Sequence, residues 1–172
     1  STIARRLAER LSVSYTVSFT TRPKQLGDEN GKTYHHVDHD EFFRRLDRDE
    51  YLEYAQVYND YYATPKHPAL DYLAEGRDVL MEIDFQGAMQ VRFAYSAALL
   101  VFILPPDEQT LLKRLTDRGR DSMEDIQRRY RNAKREIAMA KGSRAFDHMV
   151  INDDLESAVN DVIKIIRHRK SV

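Results

Sequence analysis

Three sets of side chains have types and spacings that could do chemistry. The first is Ser18, Thr20, Thr21 and Arg22, followed by Tyr34 and then by Tyr61, Tyr62 and Thr64. An arginine among hydroxyls can hold a phosphate through charge-assisted and hydroxyl hydrogen bonds. A surface loop in front of an ordinary β-hairpin has the same composition. The second set is acidic: Glu53, Glu82 and Asp84. Glu82 and Asp84 stand two apart at the end of the run DVLMEID, so a strand would point them to one side. An acid at that place is a usual Mg²⁺ partner in phosphate-loop enzymes. Carboxylates equally suit guanine, whose ring N–H and exocyclic amino group are adjacent donors that adenine lacks. Solvated strand ends are the plainer alternative. The third set is basic: Arg114, Arg118, Arg120, Arg128, Arg129 and Arg131, around Gly119. It could screen the charge of a transferring phosphoryl group. It could also be a solvated helix face paired with Asp117, Asp121, Glu124 and Asp125.

Other candidates are weaker. His35, His36 and His39 look like a metal cluster, but neighbouring strand residues point apart, so a metal role is not expected. Tyr51, Tyr54 and Tyr58 read as one strand face belonging to the core rather than a stacking platform for nucleic acid. Composition narrows the classes further. The 172 residues are 42% hydrophobic, enough for a real core, and contain no Cys, which excludes disulfide scaffolds, thiolate zinc sites and cysteine nucleophiles. A net charge of −1 argues against a general polyanion binder. No apolar run approaches the ~18–20 residues of a membrane helix. The expectation is a cytoplasmic protein with no nucleic-acid or membrane partner. The six glycines (27, 31, 76, 87, 119 and 142) are too scattered for a glycine-rich phosphate loop.

The elements that must position these residues follow from periodicity. Ile3, Leu7, Ala8 and Leu11 predict a helix over 2–11. Residues 15–19 alternate as a strand, 20–32 read as a loop, and 33–37 as a short strand. Asp38 with Glu41 three residues on predicts a capped helix start. Strands are expected at 51–58 and 61–64 around a turn at Asn59 and Asp60, then a helix ending at Gly76. DVLMEID (78–84) and LLVFIL (99–104) read as strands buried on both faces, as does 148–151. Helices are expected at 87–97, 107–118 and 122–141, the last capped by Ser122. A final helix carries Leu155, Val159, Val162, Ile163 and Ile166 on one face. Buried strands alternating with helices imply an α/β protein with a parallel sheet. A polar, tyrosine-rich β insert and a basic helical insert interrupt it.

The ordered set VSFTTRP, GDENGKTYHHV, EYLEYAQVYNDYYATP, GRDVLMEIDFQGA, FILPP, RLTDRGRDS and VINDDL resembles the guanylate kinase family over nearly the whole chain. The resemblance implies an α/β phosphate-loop NTPase-like fold with a three-layer core. Core segments would be 1–17, 77–106 and 144–172, the GMP-binding module 18–76, and the lid with its flanking helices 107–143. It implies Mg²⁺-dependent transfer of the ATP γ-phosphoryl to GMP by a monomer or weak homo-oligomer. Ser18, Arg22, Tyr34 and Tyr62 would hold the GMP phosphate. Glu53, Thr64 and Glu82 would read the guanine, and Asp84 would sit near Mg²⁺ and the phosphates. Arg118 and Arg129 would be lid arginines acting, with Arg22, on the transferring group. Arg118 and Asn152 would also contact ATP, Asn152 near the adenine.

The resemblance has two departures. A second phosphate-binding arginine of the family is replaced by Gln25, with Lys24 beside it. One lost charged hydrogen bond is worth ~1.5–3 kcal/mol. The family's phosphate loop precedes the first helix, and this chain opens at Ser1, the residue after that loop's lysine. Ser1 would then be the Mg²⁺-binding hydroxyl of the ATP site, and the chain as written is expected to be a poor kinase. The alternative is a catalytically inactive guanylate-kinase-like binding module that takes a phosphopeptide or protein partner in the GMP groove. The paired guanine-reading acids, lid arginines and INDDL segment count against it.

Overall fold

The structure, a computed structural model, describes residues 2–117 and 122–170. It divides into two compact units, Ser1–Ala98 and Leu99–Val172. Among the described residues no helix is long and apolar enough to cross a membrane.

The first unit opens with α1 (Thr2–Arg10), which buries Ala4 and Leu7. β1 (Val13–Tyr15) pairs in parallel with β6 (Asp78–Leu80), Ser14 opposite Val79. A second sheet has the order β3-β2-β5-β4, from β2 (Phe19–Thr20), β3 (His35–His36), β4 (Tyr51–Val57) and β5 (Asp60–Pro65). Helix α2 (His39–Asp47) starts where expected: Asp38 Oδ1 accepts the Glu41 N–H at 2.7 Å. Phe42 of α2 is fully buried and packs on Tyr51 (5.0 Å between centroids) and Tyr61 (5.5 Å). Phe19, Val37 and Leu46 close this small aromatic core. Helices α3 (Lys66–Ala74) and α4 (Phe85–Ala94) complete the unit, α3 against β6 and α4 against β4.

In the second unit β7 (Val101–Leu104) pairs in parallel with β8 (His148–Ile151). Helices α5 (Glu108–Thr116) and α6 (Met123–Ser143) pack together, bridged by Glu108 to Tyr130 (2.7 Å) and Lys134. Ser122 caps α6 as its sequence requires. Helix α7 (Leu155–Lys170) buries Ala158, Val159, Val162 and Ile163 on one face. The mixed α/β class with parallel strand pairs is as the sequence implies.

Several details differ. Residues 15–19 do not form one strand. Tyr15 ends β1, whereas Phe19 begins β2 in the other sheet, where its ring reaches Tyr51 at 5.7 Å. The run 78–84 stops being a strand at Leu80, because its partner β1 ends at Tyr15 and only Thr16 N–H still reaches the Leu80 carbonyl. Strand β8 is not buried on both faces: Val150 is inside, but Met149 and Ile151 are 39% and 58% exposed. The turn after β4 falls one residue early, with Tyr58 at φ 61°. Tyr51 and Tyr54 lie on opposite faces, as alternation about Glu53 demands; Tyr51 is buried and Tyr54 is exposed.

Candidate functional site

In the first unit three of the sequence candidates, Glu53, Tyr62 and Thr64, share the β4–β5 ladder. Glu53 on β4 faces Thr64 on β5, across a register irregularity between Tyr51 and Glu53. The alternation that buries Tyr51 and Ala55 also carries Glu53 inside, to 5% exposure. Its Oε1 accepts the Thr64 hydroxyl at 2.6 Å. Among the described residues no cation stands within ion-pair distance of it. Burial lifts the Glu53 carboxyl to about 7; the Thr64 hydrogen bonds oppose the rise and the Asp84 charge adds to it. A buried, unpaired carboxylate destabilises an empty fold, so it is a candidate for recognising a ligand with donors to offer.

Two residues back along β5, on the same face as Thr64, stands Tyr62. Its ring meets Tyr34 edge-on at 5.7 Å, and the Arg22 guanidinium lies 5.4 Å from the Tyr34 ring. Burial raises the pKa of both tyrosines, so both stay O–H donors near neutrality. Arg22 Nη2 donates to Asp28 Oδ2 at 2.8 Å in a pair that is mostly buried. The same oxygen accepts the Gln25 N–H at 2.8 Å and stands 3.5 Å from His36 Nε2. Backbone and arginine donors hold the Asp28 carboxyl below its ordinary range. Arg22 Nη1 also donates to the Pro23 carbonyl at 3.3 Å, so an anion would be met by the donors these two contacts leave, with two phenols beside them. Ser18 lies just before β2, its carbonyl accepting the His35 N–H.

Glu82 and Asp84 do not point together from a strand, since the strand has already ended. Glu82 is exposed, and its Oε2 accepts the Tyr15 hydroxyl at 3.2 Å. Asp84 caps α4: Oδ1 accepts the Gly87 N–H at 2.8 Å and Oδ2 the Gln86 side-chain amide at 3.2 Å. The three histidines are engaged elsewhere. His35 stacks on Phe19, the Nδ1 of His36 bonds the Arg22 carbonyl, and His39 meets Tyr61 edge-on.

Among the described residues of the basic set, Arg114 and Arg128 are engaged within the protein. Arg114 donates to the carbonyls of Asn152 (2.7 Å) and Asp153 (3.0 Å), fixing the turn after β8. Arg128 is tied to Asp125 of its own helix at 2.6 Å. Arg129 lies half-buried on α6. Asn152 donates its N–H to the Leu104 carbonyl at 2.7 Å, so it sits at the carboxyl ends of β7 and β8. Ser1 and Arg118, together with Gly119, Arg120 and Asp121, lie outside the described residues.

Two contributors were not read from the sequence. Asp28 had a signal available, an acid six residues after Arg22 inside a glycine-flanked loop. Tyr15, bonded to Glu82, had none, because residues 67 apart meet only through the β1–β6 pairing.

Known proteins resemble this chain over most of its length. The family model described as guanylate kinase matches residues 2–169. A guanylate kinase of Carboxydothermus hydrogenoformans is 43% identical over 156 residues, covering 91% of this chain and 75% of that protein. One of Dechloromonas aromatica is 44% identical over 168 residues, covering 97% and 82%. The crystal structure of guanylate kinase from Anaplasma phagocytophilum superposes with a TM-score of 0.83 at 29% identity, over 98% of this chain and 80% of that one. With a family model and relatives matching over almost its full length, the chain belongs to the guanylate kinase family.

Proposed function

We propose that this chain holds GMP as acceptor for the γ-phosphoryl group of ATP, giving GDP and ADP. One observation carries the reading: the buried carboxylate of Glu53, braced by Thr64 and unmatched by any cation among the described residues. Guanine presents two adjacent donors that such a group can accept side by side; adenine does not. Thr64 and Glu82 complete the base-reading set. Ser18, Arg22, Tyr34 and Tyr62 take the monophosphate, the arginine by charge and the tyrosines by hydroxyl donation. In this division residues 18–76 are the acceptor module, 107–143 the lid and its helices, and 1–17, 77–106 and 144–172 the core.

Catalysis in such a site is positioning and charge stabilisation, with no covalent intermediate on the protein. Arg22, Arg118 and Arg129 supply positive charge to the transferring group, and Arg118 and Asn152 contact ATP, Asn152 beside its adenine. Asp84 is a hard oxygen donor with no cation within ion-pair distance among the described residues, which suits Mg²⁺. Ser1 would share that ion. Bound Mg²⁺ neutralises phosphate charge. Asp84 meanwhile fixes the start of α4.

The test is calorimetric titration of GMP and AMP into the wild-type chain and into Glu53→Gln. The substitution should weaken GMP roughly ten- to hundredfold, the size of one charged hydrogen bond, and leave AMP unchanged. Unchanged GMP affinity would contradict the assignment. No observation favours a phosphopeptide in this groove.

A further inference from the structure

Helix α4 packs on β4, and at Gly87 the contact falls directly on the Glu53 side chain. Gly87, in the first turn of α4, is buried. A Cβ at this position would lie 2.9 Å from Glu53 Cδ, closer still to Oε2, and 3.3 Å from Ile83 Cβ. The requirement for glycine here is steric, since its backbone is ordinary helix. The group that would have to yield is the Glu53 carboxylate, and its other oxygen is already tied to Thr64.

The spacing is enforced from both sides of that contact. The Gln90 side chain pairs with the main chain of Tyr54, the residue next to Glu53. Its Nε2 donates to the Tyr54 carbonyl at 2.6 Å, and its Oε1 accepts the Tyr54 N–H at 3.2 Å. This amide takes the place of a neighbouring strand on the open edge of β4. One turn earlier, Gln86 Nε2 donates to the Gln56 carbonyl at 3.2 Å. The Gly87 N–H is held by Asp84. Side-chain amides therefore fix the distance from helix to strand, and only a residue without a side chain fits the gap.

We propose that Gly87, held in place by the Gln90 clamp, is a specificity-determining positioning residue. The bare helix face at Gly87 is the wall that sets where Glu53 presents its carboxylate to the base. This rests on the reading of Glu53 as the guanine-recognising group. A displaced carboxylate loses the geometry needed for two donors at once. The loss should fall on the contact to the 2-amino group, which GMP has and IMP lacks.

The experiment is titration of GMP and of IMP into the full chain, as wild type, Gly87→Ala, Glu53→Gln, the double variant and Gln90→Ala, with thermal midpoints recorded for each. Wild type should prefer GMP. Gly87→Ala should cut the GMP-to-IMP affinity ratio about tenfold, and should cut it no further when Glu53 is already Gln. Gln90→Ala removes the clamp without a clash and should cut the ratio by a smaller factor. If Gly87→Ala does not fold, Gln90→Ala decides, and an unchanged ratio there overturns the proposal. Equal weakening of GMP and IMP in Gly87→Ala means a packing role only and also overturns it. If Glu53→Gln lowers the ratio while Gly87→Ala and Gln90→Ala do not, the base-reading role stands and the Gly87 inference fails. If Glu53→Gln itself leaves the ratio unchanged, the base-reading role fails and the inference falls with it.

Discussion

The proposed role of Glu53 would couple recognition to pH. Burial holds its carboxyl at about 7, against 4.5 unperturbed. Between those values the folded chain keeps a proton that the unfolded chain has lost. This contribution to stability is therefore full below about 4.5 and is lost as pH rises through about 7. Guanine donors need the ionised form, so GMP binding should release a proton and strengthen as pH rises from 6 to 8. The GMP phosphate titrates nearby, with a pKa of ~6, so the informative quantity is wild type minus Glu53→Gln. A pH slope identical in both proteins would contradict the assignment. Asp28 makes a second residue-scale prediction. It braces Arg22 through a mostly buried ion pair. Asp28→Asn should weaken GMP about tenfold, the lower range for a charged hydrogen bond, and leave guanosine, which has no phosphate, unchanged. Tighter GMP binding would show instead that Asp28 competes with the phosphate.

At the scale of elements, local chemistry was legible and partner choice was not. Asp38 with Glu41 and Ser122 with Asp125 announced two helix starts, and both caps are made. Capping is decided within four residues, so a sequence displays it. The end of β6 at Leu80 is decided by how far β1 runs beside it, and by the recruitment of Asp84 as a cap. Nothing within 78–84 encodes the first; the second is local, since Asp84 is itself a favoured N-cap residue. Gly87 is like the first, since its reason lies on another element altogether. The α2 core gives the prediction at this scale. Phe42→Ala should cost ~3–5 kcal/mol in denaturant unfolding, as for other fully buried aromatics. Asp38→Ala should cost ~1 kcal/mol through the cap. Comparable small losses from both would mean that the aromatic cluster does not hold the module.

For the whole molecule, the sequence candidates sort by unit. Ser18, Arg22, Tyr34, Glu53, Tyr62, Thr64, Glu82 and Asp84 all fall in Ser1–Ala98, and Arg129 and Asn152 in Leu99–Val172. The antiparallel β4–β5 ladder alone spans the distance from Tyr62, beside Arg22, to Thr64, beside Glu53. The residues of the proposed acceptor site lie on one hairpin and on segments before and after it, so ordered motifs name them together. The basic set could not be sorted in this way. Whether an arginine faces a ligand or a carbonyl, as Arg114 does, depends on contacts 38 and 39 residues away. The buried Glu53 carboxyl, with no cation beside it among the described residues, implies an acceptor site that selects guanine. Titration of the wild-type chain with GMP and with AMP at pH 8 tests it most directly. GMP should bind at least tenfold more tightly than AMP, the order expected when a site is built to accept donors that the competitor lacks. Equal affinities for the two nucleotides would contradict it.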